Sequence, residues 1–281
     1  MTAGADLLKP RIASAAAASA LSVSVLASGG FGPRAWPLGL GVLLTACGAG
    51  ALNQLLERRR DGLMERTRGR PLPAGSMTPA QALCAALGLL AAGLASTGLA
   101  AGTAGVLLAA AAVAWYDGVY VPLKRLTAFA VVPGALVGAV PPALGWLAAG
   151  RSWSEPGLPA LCLFFYLWQV PHFWLLAPRQ AADLRRASLQ DPGLALGEAG
   201  LGRLSAVWIC AAAASALLLP FSGVVASPAA CALLAAAAGW LAWRCVPLLR
   251  LPDEAARSQA FGRLNAFVLI VMALITADPY L

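Results

Sequence analysis

Nine stretches of about twenty mostly apolar residues follow one another along this chain, and they limit its fold more than any other feature. They lie at roughly 12–32, 37–56, 79–99, 101–120, 128–149, 157–177, 202–222, 224–246 and 262–279. In a bilayer every backbone polar group must be satisfied internally, which leaves helices or a closed barrel. Barrel strands would show two-residue alternation, and none is present. Charged residues make up 11% of the chain and hydrophobic ones 60%, where a soluble domain carries about 25% charge. That balance excludes a water-facing globule, a disordered chain, a coiled coil and a disulfide scaffold. The expected fold is an all-α integral membrane protein, a nine-transmembrane-helix bundle formed as a single domain over residues 1–281. Alanine and glycine are abundant in the spans, which lets helices approach closely in lipid.

The net charge of +8 would suit nucleic acid, but its distribution argues for membrane topology instead. With the N-terminus in the cytoplasm, nine crossings place 18 of the 20 basic residues on the cytoplasmic side and leave only Arg34 and Arg151 opposite. The positive-inside rule then orients the bundle. It puts the C-terminus on the far side of a bacterial inner membrane, and no nucleic-acid partner is expected. Residues 12–32 follow Lys9 and Arg11 as in a signal peptide. Their removal would leave eight spans and no soluble domain to export, so they read as the first span. The six cysteines fall in or beside apolar spans with no CxxC among them, and read as small core hydrophobes.

The chemistry-bearing residues lie on the basic side. Asn53, Glu57 and Asp61 are spaced four apart, so a helix stacks them on one face with about 6 Å of rise between neighbours. Carboxylates in such a strip suit Mg²⁺, which binds through one or two of them plus substrate phosphates. Arg66 and Arg70 come next, also four apart, and guanidinium groups match phosphate oxygens. The alternative is a solvated charged loop. Between the fourth and fifth spans, Lys124 and Arg125 could grip the same phosphates with Tyr120 as donor, or could serve as ordinary interface anchors. The sixth span carries Trp168, Gln169, Pro171 and His172, the only histidine. An ionisable group inside a span points to function by default. His172 could ligate or orient an iron porphyrin, hydrogen-bond a substrate, or pair with a neighbouring helix. Asp183, near Arg185 and Arg186, could complete a second metal site or be neutralised by them. The fifth span, with Pro133-Gly134, Gly138, Pro141-Pro142 and Gly145, should be broken or closely packed.

These motifs, in this order, resemble the UbiA superfamily of membrane prenyltransferases, most closely its haem-farnesylating members. The stretch from Asn53 through Glu57, Asp61, Met64, Arg66-Thr67 and Arg70-Pro71-Leu72 is similar to the family's first motif. Tyr120 with Lys124-Arg125 and Thr127, then Gly138 to Trp146, resembles the second stretch. Trp168-Gln169-Val170-Pro171-His172-Phe173, with Asp183 beyond, resembles the third. Glu57 stands where the commoner form has aspartate, Arg59 and Ala182 stand where an acid is usual, Leu184 where tyrosine is, and Ala130 where asparagine is frequent. The resemblance implies a bundle of the UbiA type that transfers a farnesyl group from farnesyl diphosphate to a vinyl group of haem B, giving haem O. It implies Mg²⁺ as cofactor on Glu57, Asp61 and Asp183. Asn53, Arg66, Arg70, Tyr120, Lys124 and Arg125 would serve the diphosphate, and His172, Trp168 and Gln169 the haem. Trp115, Tyr116, Phe165 and Trp168 could cover an allylic cation or belong to the lipid-interface belt. A haem A synthase or an oxidase assembly factor would be the protein partner. Acceptors such as an aromatic acid, a quinone precursor or a lipid alcohol, and a non-enzymatic haem or lipid carrier, are the alternatives.

Overall fold

A computed structural model describes residues 7–250 and 253–281. The amino-terminal residues 1–6, on which the cytoplasmic start was placed, lie outside that range. Among the described residues eight helices are long and apolar enough to cross a membrane. Helix α1 is Pro10–Ser28 and α2 is Ala35–Asp61. The next rod, Pro79–Leu123, has 45 residues and would be about 68 Å long if straight, twice a hydrocarbon core. It is not straight. Gly102 adopts φ 64°, ψ −165°, a conformation open to glycine alone. Val106 Cγ2 lies 3.1 Å from where a Cβ on Gly98 would sit, so the chain turns back on itself. The rod is therefore two spans, α3 (79–101) and α4 (103–123), and the described residues cross nine times.

The remaining spans are α5 (Val131–Ala148), α6 (Gly157–Arg186), α7 (Pro192–Phe221), α8 (Pro228–Leu249) and α9 (Glu254–Tyr280). Helix α5 is broken as its prolines and glycines suggest, with a 3-10 stretch at Ala135–Ala139 between two α-helical pieces. Several helices outrun the apolar stretches that announced them. Helix α2 continues to Asp61, α6 to Arg186, and α9 begins at Glu254. These extensions are rich in Glu, Arg, Ala and Gln, good helix formers that a hydropathy reading passes over. Local signals fix the ends. Thr78 and Gln81 close a reciprocal capping box ahead of Pro79, and the Asp253 carboxylate accepts from Ala256 N at 2.6 Å.

Packing differs between the halves. Helices α2 and α3 meet through glycines: a Cβ on Gly41 would lie 2.5 Å from Thr97 Oγ1, and one on Gly93 equally close to Thr45 N. Gly145 of α5 lies against Ala20 O of α1. The other half holds the larger side chains, with Phe164, Ile209, Leu234, Leu264 and Phe267 buried together. Outward-facing apolar residues such as Trp36, Leu99 and Phe221 are exposed, as a lipid-facing surface requires. Cys84 and Cys210 are also exposed, which corrects the reading of all six cysteines as core residues. Small and apolar enough for lipid, they do not need burial.

Candidate active site

The helical phase of α2 does what the spacing predicted. Asn53, Glu57 and Asp61 are all buried on one face at the end of the helix. Asn53 Nδ2 donates to Glu57 Oε2 at 3.3 Å. Lys124, from the end of α4, donates to the same oxygen at 2.6 Å. Arg70, from the loop after α2, pairs with Asp61 Oδ2 at 2.8 Å. Thr67 Oγ1 donates to the Asp61 carbonyl at 2.9 Å and holds that loop against the helix end. Lys9, just before α1, donates to Asn53 Oδ1 at 2.9 Å. Burial, then the charges of Arg70 and Lys124, bring the Lys9 ammonium down to about 8. Two carboxylates and three cations thus share one mouth of the bundle. Arg34 and Arg151 lie at the other end, where Arg34 reaches the Ala148 carbonyl and Arg151 pairs with Glu155.

The second group of expected residues is brought close but not all to one point. Tyr120 stacks on Tyr116, and Lys124 lies over its ring at 5.3 Å. Its ring presses on the backbone at Gly134, where a Cβ would collide. Arg125 Nε is buried with no protein partner. Arg66 is exposed, within electrostatic reach of Arg70, Asp183 and Asp61. Asp183 accepts the backbone N–H of Glu65 at 2.8 Å and of Arg66 at 3.2 Å, with Arg186 beside it at 3.4 Å. It docks α6 to the α2–α3 loop. Among the described residues no three His, Cys, Asp or Glu side chains gather into a metal-holding group. The expected trio is therefore not assembled, because the Asp183 oxygens are engaged by loop backbone and Asp61 by Arg70.

His172 lies in a separate cluster, half-buried on α6. Its Nδ1 is 2.8 Å from Asn265 Oδ1 on α9, and Asn265 Nδ2 donates to the Phe261 carbonyl at 2.9 Å. That second bond orients the amide so that Oδ1 accepts. The histidine proton is then on Nδ1 and Nε2 carries the free lone pair. Trp168, Phe173 and Phe261 surround the ring at 5.1, 5.4 and 4.9 Å between centroids. Trp168 Nε1 is buried with no protein partner. Gln169 lies flat over Gly138 of α5, where no side chain could fit. A cavity of about 230 Å³ lies further along these helices where α7 joins them, lined by Leu175, Arg179, Glu198 and Arg257 among others. Of the candidate cation covers, Trp115 is turned aside, donating to the Pro133 carbonyl at 2.8 Å, and Phe165 is packed in the core.

Three participants escape a reading of motifs. Lys9 reads as a topology signal, and its contact with Asn53 spans 44 residues. Asn265 stands in the ninth span with nothing in the sequence to say what it faces. Asp117 belongs to none of the motifs, although an acid inside an apolar stretch is itself a signal.

This geometry has close company among known proteins. A protoheme IX farnesyltransferase of Geobacter sulfurreducens is 43% identical over 96% of this chain and 97% of its own length. One from Xylella fastidiosa is 32% identical over 98% of this chain and 94% of its own. The same fold occurs in the apo structure of a UbiA homologue from Aeropyrum pernix K1, with TM-score 0.76, 18% identity, and coverage of 96% of this chain and 98% of that one. It also occurs in a UbiA homologue from Archaeoglobus fulgidus bound to GPP and Mg²⁺, with TM-score 0.64, 16% identity, and coverage of 98% and 99%. The family model described as the UbiA prenyltransferase family matches residues 12–271. This chain, a multi-pass membrane enzyme that transfers prenyl groups, belongs to the UbiA prenyltransferase family.

Proposed function

We propose that the chain transfers a farnesyl group from farnesyl diphosphate to a vinyl group of haem B, giving haem O, with Mg²⁺ as cofactor. One observation carries this reading: a mouth of paired carboxylates and cations lies in the same bundle as a histidine held with a bare Nε2, in a chain 43% identical to a protoheme IX farnesyltransferase.

The residues at the mouth fit a divalent cation. Glu57 Oε1 is buried with no protein partner, and an unmet carboxylate oxygen in a dry site calls for a positive ligand. Glu57 and Asp61 would hold Mg²⁺, with Asp183 available once it leaves the loop backbone. The metal, when bound, supplies charge that stabilises the departing diphosphate. The protein's own cations act on the same oxygens. Lys124 and Arg70 already stand at the two carboxylates, and Lys9 and Arg66 lie within electrostatic reach of them. They neutralise negative charge as the allylic C–O bond breaks, in a setting preorganised before substrate arrives. The apolar bundle keeps water from the allylic carbon. The new carbon–carbon bond forms at the haem vinyl, the oxygen of one water adds to the resulting cation, and one proton leaves. His172, oriented by Asn265, presents Nε2 to the haem iron, and the Trp168 N–H is available to a polar edge of the ring. The mouth faces the cytoplasm of an inner membrane, where the basic loops belong.

The test is the mass of the product when the purified chain receives haem B, farnesyl diphosphate and Mg²⁺. The expected species is haem plus a farnesyl group and one hydroxyl group. Prenylation of an aromatic acid or lipid alcohol in place of haem would overturn the acceptor assignment. No release of pyrophosphate with any acceptor would overturn the reaction.

A further inference from the structure

Asp117 lies in the segment Trp115–Tyr120, where α4 widens into a π-helix. Such segments are rare and occur often at functional sites. The residue is 8% exposed, yet neither Oδ1 nor Oδ2 has a hydrogen-bond partner. Lys9, Glu57 and Lys124 act on it electrostatically, so it belongs to the same mouth. The other acids there are engaged: Asp61 by Arg70, Asp183 by loop backbone, and one Glu57 oxygen by Lys124 and Asn53. Among the described residues three buried carboxylate oxygens at the mouth remain without partners, Glu57 Oε1 and both of Asp117. Unpartnered carboxylate oxygens in a span are costly. A cation that accepts two carboxylates and completes its shell with phosphate oxygens and water would satisfy all three.

We propose that Asp117 is a metal ligand, holding the divalent cation together with Glu57 so that the ion bridges α2 and the π-helical segment of α4. The inference rests on the Mg²⁺–diphosphate reading and names a ligand that reading did not contain. It is tested on the full chain in detergent with inorganic pyrophosphate, using Mn²⁺ as the probe and electron paramagnetic resonance to count free ion. Asp117→Asn is expected to weaken Mn²⁺ binding by at least about tenfold. Asp117→Cys is expected to shift preference from Mn²⁺ toward Cd²⁺ relative to the native chain, since a thiolate is a softer ligand. A charge acting only through its field would not change that preference. Should the Asn variant fail to fold, the Cys variant carries the test alone. Native-like Mn²⁺ affinity in Asp117→Asn, or unchanged metal preference in Asp117→Cys, overturns the inference and leaves the wider reading standing. No Mn²⁺ uptake by the native chain with pyrophosphate overturns both.

Discussion

The mouth around Glu57 and the cluster around His172 are built on opposite principles. The first gathers full charges, pairs them across two helices and a loop, and still leaves carboxylate oxygens unmet. The second holds one titratable ring in a neutral amide bond, inside a shell of aromatic side chains. Ion pairs that can exchange partners suit a multiply charged group that arrives and departs. A fixed tautomer in an apolar shell suits a flat, largely apolar ligand. On the proposed reading, the difference teaches that electrostatics separates the two substrates of the prenyl transfer before shape is considered.

If that division holds, damage to one cluster should leave the other's function intact. Asp61→Asn should cut prenyl transfer by at least about 10²-fold while haem binding, read by absorbance titration, stays native. Loss of both together would break the comparison. Lys124→Met removes a charge-assisted bond of about 1.5–3 kcal/mol, so KM for farnesyl diphosphate should rise roughly 10- to 100-fold, again without a change in haem affinity. Asn265→Leu is the converse. Haem affinity should fall by about tenfold, the lower range for losing a partner that orients a ligating histidine, with Mg²⁺-dependent pyrophosphate binding untouched.

A gentler probe uses pH. Lys9 loses its proton near 8 in the folded chain against an ordinary 10.5. Between those values the unfolded chain binds more protons, so this residue makes stability rise with pH across the window. Its positive charge at the mouth disappears over the same range, so affinity for pyrophosphate should fall as stability climbs. Paired melting and binding curves would show the opposed trends, and Lys9→Met should flatten both. Last, Gly93→Ala should cost about 1–3 kcal/mol by overpacking α2 against α3, measured by thermal unfolding, with the haem spectrum unchanged.

Much of this is legible in the chain itself. Apolar length sets the number of crossings, and four-residue spacing puts Asn53, Glu57 and Asp61 on one buried face. What escapes are meetings between residues far apart in sequence. Nothing local says that Lys9 bonds Asn53, that Asn265 orients His172, or that Asp183 grips the loop at Glu65 and Arg66. Periodicity reports which way a side chain points on its own helix, not which helix lies opposite. Helix ends are blurred for a related reason, since polar turns extend a rod past the point where hydropathy fades.

The six residues from Trp115 to Tyr120 also set a phase. Their i to i+5 bonding fits an additional residue into the turn, and each added residue rotates the rest of the helix by about 100°. The Lys124 ammonium that reaches Glu57 lies just beyond that rotation. Shortening the segment by one residue would turn the lysine roughly a quarter-turn away from its present direction without removing a charge, so chain length at this point bears on the Lys124–Glu57 pair as directly as charge does.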